Sequence, residues 1–214
     1  MSTLLCGSLF SMPRCVEAAT VLVLGDSISA GYGLADRTKV WVSLLSVAID
    51  AEKNRTINAG ISGDTTAGGL ARLPALLEQF KPDIVMIELG TNDGLRDLSL
   101  EAMESNLREM IAISRTAGAT PLLLGMQMPR GYGTWLANRF EGIFPRIATE
   151  MDVAFVERFL EGVGNVPEHM QADRIHPNEK AQVLLRDRVL NSVNRLLNQK
   201  SQPGFNGRKN EQRS

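Results

Sequence analysis

The sequence predicts an α/β domain in which a parallel sheet is covered by helices on both faces. Five short strand-like runs, at 21–24, 56–58, 84–89, 122–125 and 153–156, alternate with longer amphipathic stretches. Several of these runs are apolar at successive positions, as strands buried on both faces are, and the intervening stretches are long enough for crossover helices. No repeat or linker-like stretch interrupts the pattern between Thr20 and residue 200, so the 214 residues, 43% of them hydrophobic, suit one domain with a sizeable core.

Residues 1–18 precede the first strand. An apolar stretch from Leu4 to Met12 is followed by Pro13 and the small-residue end Val16-Glu17-Ala18-Ala19, a pattern that reads as a signal peptide cleaved after Ala18. It implies a periplasmic or secreted protein, or a cytoplasmic one if the leader is retained. Cys6 and Cys15 both lie in this leader, so neither a disulfide framework nor a cysteine zinc site organises the domain. No apolar run reaches the roughly 18 residues of a membrane-spanning helix. After the third run, Leu100, Met103, Leu107, Met110 and Ile111 recur at helical spacing. Ala181, Leu184, Leu185, Val189, Val193, Leu196 and Leu197 do the same near the end and predict the last helix of a domain over 19–200. Residues 201–214, polar with Gly and Pro, read as a disordered tail.

Lys+Arg 23 against Asp+Glu 24 gives a net charge of −1, which offers no basic surplus for a polyphosphate backbone and argues against a nucleic-acid partner. The glycines at 31 and 33 lack the third glycine of a dinucleotide fingerprint, and no Walker-type lysine follows a glycine-rich loop. His169, Asp173 and His176 lack further Cys or His to complete a metal set, so no metal is expected.

In a parallel α/β sheet, ligands gather beyond the carboxyl ends of the strands. Gly25-Asp26-Ser27 follows the first run, Gly60-Ile61-Ser62-Gly63-Asp64 the second, and Gly90-Thr91-Asn92-Asp93-Gly94 the third. Asp173-Arg174-Ile175-His176-Pro177 comes after the last. Any one of these is more commonly a turn or a helix entry. Together they supply the parts of acyl transfer. A serine hydroxyl needs a base, and histidine, with an unperturbed pKa of about 6.5, can take its proton; activity is expected to fall as acid protonates the ring. A carboxylate three residues before the histidine can fix its tautomer. Gly63 can offer a backbone N–H, Asn92 its amide and Ser27 its own N–H to a developing oxyanion. Asp26 and Asp93 read as turn-capping or loop-anchoring carboxylates. Tyr132 and Trp135, after the fourth run, read as acyl-pocket lining or as closure of the domain, and Arg72, Arg96 and Arg130 as solvated charges or phosphate contacts.

The order Gly25-Asp26-Ser27, Gly63, Gly90-x-Asn92-Asp93 and Asp173-x-x-His176-Pro177 resembles the GDSL or SGNH hydrolase superfamily. The likeness extends to Ile61-Ser62-Gly63-Asp64-Thr65, to Gly69-Leu70-Ala71-Arg72-Leu73-Pro74 and to Met128-Pro129-Arg130-Gly131-Tyr132-Gly133. It is greatest for the bacterial branch of thioesterase I, lysophospholipase L1 and arylesterase. The resemblance implies a flavodoxin-like three-layer α/β/α sandwich with a five-stranded parallel sheet, and cofactor-free hydrolysis of small-molecule acyl esters and thioesters such as aryl esters, acyl-CoA and lysophospholipids. It implies Ser27 as nucleophile, His176 as base, Asp173 as its orienter, and Ser27, Gly63 and Asn92 as the oxyanion hole. It also makes Thr91, Asp93, Gly94 and Tyr132 candidate substrate-binding residues. Thr91 stands where relatives often carry a second Gly, which implies a stiffer loop over 90–97. Two other readings stay open: a carbohydrate acetyl esterase on the same scaffold, and a binding module that holds an acyl or glycan ligand without turnover.

Overall fold

In the computed structural model the described residues are 18–129 and 131–201. The leader up to residue 17 with both cysteines, the tail beyond 201 and Arg130 lie outside them.

Five strands, β1 (Ala19–Gly25), β2 (Asn54–Gly60), β3 (Ile84–Glu88), β4 (Thr120–Leu124) and β5 (Ala154–Val156), form one parallel sheet in the order β2-β1-β3-β4-β5. Seven helices accompany them: α1 (Ser27–Ala30), α2 (Trp41–Ala48), α3 (Thr66–Phe80), α4 (Thr91–Leu95), α5 (Leu100–Thr116), α6 (Thr134–Glu150) and α7 (Ala181–Ser201). Helices α2 and α7 pack together on one side, while α3, α5 and α6 line the other. Right-handed crossovers require this division, because the chain steps from β1 to β2 in one direction and moves from β2 onward in the other.

Burial accounts for which strands the sequence discloses. Every residue of β3 is buried, as is β1 apart from Thr20, so both read as unbroken apolar runs. Strand β2 is longer than its expected core at 56–58, because as an edge strand it needs no second apolar face and pairs with β1 through its backbone over seven residues. The predicted helices over 100–111 and 181–197 lie within α5 and α7, with Leu107, Met110, Leu185, Val189 and Val193 fully buried. Trp41 against Phe159 and Phe140 against Phe144, both edge-on with centroids 5.2 and 5.4 Å apart, fill the two layers between helices and sheet.

The strand order reverses between β1 and β3. Their following loops leave toward opposite faces and open a crevice at the carboxyl end of the sheet, into which Asp26-Ser27 from β1 and Thr91-Asn92 from β3 both emerge.

Candidate active site

Strand β1 ends at Gly25, where an added Cβ would overlap Ser29 Oγ and approach Glu88 Oε2 to 2.7 Å, so the chain can turn here only without a side chain. Asp26 then caps α1, its carboxylate accepting the Ile28 N–H at 2.9 Å. The four-residue helix ends on Gly31 in the left-handed conformation. Ser27 is its first residue, 8% exposed, with its hydroxyl directed out of the turn to His176.

His176 arrives from the other end of the chain on a loop folded back on itself. Its carbonyl accepts the Gln171 N–H at 2.8 Å, and Met170 bridges to Pro177. Gln171 Nε2 donates to the Tyr32 carbonyl at 2.7 Å, fastening this loop to the one that follows α1, and the Tyr32 ring packs over the imidazole with centroids 4.5 Å apart. Asp173 Oδ1 accepts the N–H groups of Ile175 and His176 at 2.9 and 3.0 Å, while Oδ2 lies 2.7 Å from His176 Nδ1. An ionised carboxylate only accepts, so Nδ1 carries the proton and Nε2 presents its lone pair. Ser27 Oγ is 2.9 Å from that Nε2 and donates to it.

Asn92, in α4 beyond β3, donates from Nδ2 to Asp26 Oδ2 at 3.1 Å. Gly63, at φ +79°, follows β2, and its carbonyl accepts from Arg96 Nη2 at 2.7 Å. Arg72 pairs with Asp64 at 2.8 Å and also donates to the Gly25 carbonyl, so both arginines tie loops of this rim together. The Asp93 carboxylate faces the start of α3, with Oδ1 accepting the Thr66 hydroxyl at 2.6 Å and Oδ2 its N–H at 2.9 Å, which locks the β3 loop to the β2 loop. Burial pushes the Asp93 carboxyl up in pKa despite those bonds. Gly94 is buried where a Cβ would meet Met128 Sδ at 2.5 Å. A small pocket beside α1 and α4 is lined by Ile28, Thr91, Gln127, Met128, Leu160 and Ile175 among others, with Asn165 and Arg174 adding polar groups. Tyr132 is 41% exposed on the loop after β4 and outside that lining, and Trp135 is 70% exposed beneath the Arg139 guanidinium at 4.8 Å. His169 is not joined to the Ser27 assembly; its Nδ1 bonds the Gly162 carbonyl at 2.9 Å. Among the described residues no cluster of three His, Cys, Asp or Glu side chains could hold a metal, and no helix is long and apolar enough to cross a membrane.

The model of the GDSL-like lipase/acylhydrolase family matches residues 23–184, which span every loop just described. The chain belongs to this family. Within it, the chain is 46% identical over 194 residues to esterase TesA of Pseudomonas aeruginosa, covering 90% of this chain and 96% of that protein. It is 42% identical over 188 residues to thioesterase 1/protease 1/lysophospholipase L1 of Escherichia coli, covering 88% and 89%. The crystal structure of psychrotrophic esterase EstA from Pseudoalteromonas, inhibited by monoethylphosphonate, superposes with a TM-score of 0.78 at 40% identity, covering 84% of this chain and 98% of that one. This GDSL-type protein is a carboxylic ester hydrolase with the five-stranded parallel fold of that family.

Sequence reasoning missed Glu88. It ends β3, is fully buried, and lies opposite Gly25 in the sheet, accepting the Ser29 hydroxyl at 2.6 Å and the Asp26 N–H at 3.2 Å through Oε2. The available signal was a carboxylate inside an otherwise apolar run. Burial, then the charge of Asp26, drives its pKa well above that of an ordinary carboxyl. Burial likewise raises Asp26 to about 7, with Asp64 and Asp93 adding to it and the bonds from Ile28 and Asn92 opposing it.

Both groups therefore bind protons more tightly in the folded than in the unfolded chain. Their effect on stability is favourable at acid pH and is lost as pH rises, from the unfolded value near 4 to about 7 for Asp26 and over a window extended above the ordinary carboxyl range for Glu88. Each such group contributes a slope of up to about 1.4 kcal/mol per pH unit within its window. Urea unfolding between pH 5 and 8 should show stability declining with pH, and Glu88→Gln, which is neutral throughout, should flatten that decline. Parallel slopes for the two proteins would contradict the assignment.

Proposed function

We propose that the protein hydrolyses acyl esters and thioesters through an acyl-enzyme at Ser27. The observation that carries this reading is the line of contacts from Asp173 through His176 to Ser27, at 2.7 and 2.9 Å. Ser27 Oγ attacks the acyl carbon as His176 Nε2 takes its proton, and the carbonyl π electrons move onto oxygen. The N–H groups of Ser27 and Gly63 and the amide of Asn92 receive that charge. Collapse expels the alcohol or thiol, protonated by His176. Water then repeats the sequence on the acyl-enzyme, with His176 as base, releasing the acid and restoring the serine.

Ile28, Met128, Leu160 and Ile175 in the pocket beside α1 support an acyl group as the group recognised, with Thr91 on the pocket wall and Gly94 and Asp93 shaping the loop behind it. Contact of Tyr132, exposed on the loop after β4, with the leaving group or a longer chain belongs to the same proposal. Aryl esters, acyl-CoA and lysophospholipids are the substrate classes proposed. Export is inferred from the leader; β1 begins at Ala19, so a cut after Ala18 leaves the sheet whole.

The test is a fluorophosphonate reaction with the full chain, alongside rates on acetyl to long-chain p-nitrophenyl esters, acyl-CoA and acetylated xylan. We expect a single adduct at Ser27 and faster turnover of acyl esters than of the acetylated glycan. A glycan preference would favour the acetyl esterase, and binding of ester without release of product would favour the non-catalytic module.

A further inference from the structure

Asn92 can serve an oxyanion only if its amide presents N–H rather than the carbonyl lone pair, and a half-turn about the last side-chain bond exchanges the two. Resting on the esterase reading above, we propose that Asp26, seated on Glu88, is a positioning residue that fixes the Asn92 amide as an oxyanion donor. Asp26 Oδ2 takes one of the two Nδ2 hydrogens at 3.1 Å, which leaves the other in the amide plane for substrate. Above the Asp26 pKa of about 7 the carboxylate is ionised and would meet a reversed amide acceptor against acceptor, an arrangement that is repulsive, so the positioning is complete on the alkaline side of neutrality.

Asp26 is itself held at every polar group. Its Oδ1 takes the Ile28 N–H at 2.9 Å, its carbonyl takes the Ala30 N–H at 2.9 Å, and its own N–H goes to Glu88 Oε2 at 3.2 Å. Glu88 also receives the Ser29 hydroxyl at 2.6 Å. The residues on both sides of Ser27 are thus anchored on one β3 side chain, and the amide that flanks Ser27 comes from the α4 that continues β3. Nucleophile and amide donor share one frame across the switch point. Asp26 and Glu88 are 1% and 0% exposed, and burying carboxyls is unfavourable unless they are well partnered. Their retention beneath Ser27 is accounted for by the geometry they impose.

The experiment separates capping from amide positioning. Asp26→Ser keeps an N-cap acceptor for α1 but is too short to reach Asn92, whereas Asp26→Asn keeps the cap acceptor and turns an N–H toward Asn92, which favours the reversed amide. Full-chain Asp26→Ser, Asp26→Asn, Asn92→Ala and the Asp26→Ser/Asn92→Ala double variant are assayed on p-nitrophenyl butyrate, with affinity for a trifluoromethyl ketone as the oxyanion readout. Asn92→Ala should lower kcat about 100-fold. Asp26→Ser should lower kcat roughly 10- to 100-fold with KM little changed, and weaken the ketone in parallel. The double variant should be no worse than Asn92→Ala, because a positioned group that is already gone cannot be lost twice. Asp26→Asn should lose rate and ketone affinity at least as much as Asp26→Ser, because its N–H faces the Asn92 amide. Losses that multiply in the double variant, or an Asp26→Ser effect confined to KM, would overturn the proposal while the esterase reading stood. If Ser27 takes no phosphonate label and Asn92→Ala is fully active, the esterase reading falls and this proposal with it. If Asp26→Ser does not fold, Asp26→Asn decides: loss of rate and ketone affinity in a folded protein supports the role, and native values of both overturn it.

Discussion

Ser27→Ala is expected to lower kcat for an aryl ester by about 10⁵- to 10⁶-fold, with the fold intact. The substitution removes only Oγ. The backbone N–H at position 27 remains for the oxyanion, and alanine suits the first turn of α1 as well as serine does, so little is lost beyond the bond to His176 Nε2. His176→Ala should cost nearly as much, and the double variant little more than either, because the proposed nucleophile and base would act as one unit. The readouts are initial rates on p-nitrophenyl butyrate and far-UV circular dichroism with a urea midpoint. A folded Ser27→Ala protein that kept even one hundredth of the rate would place the chemistry elsewhere.

What the sequence disclosed and what it hid follow from the range of the interactions involved. Strands β1, β3 and β4 stand out because both faces are buried, and hydropathy registers burial directly. The flanks of β2 escaped because an edge strand is held by backbone hydrogen bonds, which leave little trace in side-chain type. Helices α1 and α4 are four and five residues long, too short to display a period, yet they hold Ser27 and Asn92. The candidate site residues stood out as strand exits because parallel topology sends every exit to one rim. Their contacts were not: Ser27 and His176 are 149 positions apart, and Gln171 reaches Tyr32 across 139. Glu88 shows the limit most clearly. In a run of apolar residues it reads as part of the strand, and only the sheet register that sets it against Gly25 reveals the support it gives to Asp26 and Ser29.

Asp173→Asn isolates what the carboxylate does for the imidazole. Asp173 is pulled two ways: partial burial raises its pKa, but the His176 N–H, the imidazole and the Ile175 N–H together outweigh that and leave it below the ordinary carboxylate value. It is therefore an anion, and purely an acceptor, throughout the neutral range. An asparagine could still take both backbone N–H groups through Oδ1, so the loop should keep its shape. Its amide would then offer N–H to His176 Nδ1, which favours the tautomer protonated at Nε2 and turns a donor toward Ser27 Oγ, where an acceptor is needed. The expected loss in kcat at pH 7 is about 10³- to 10⁴-fold, with a matching fall in the rate of fluorophosphonate labelling. Stability should change by no more than about 1 kcal/mol, because the Asp173 side chain is 37% exposed and solvent screens its attraction to the ring. Tautomer control therefore predicts a large kinetic effect beside a small thermodynamic one. A variant that lost stability and rate together would instead make Asp173 a brace for the loop, and one that labelled at the native rate would leave His176 with no need of an orienting partner.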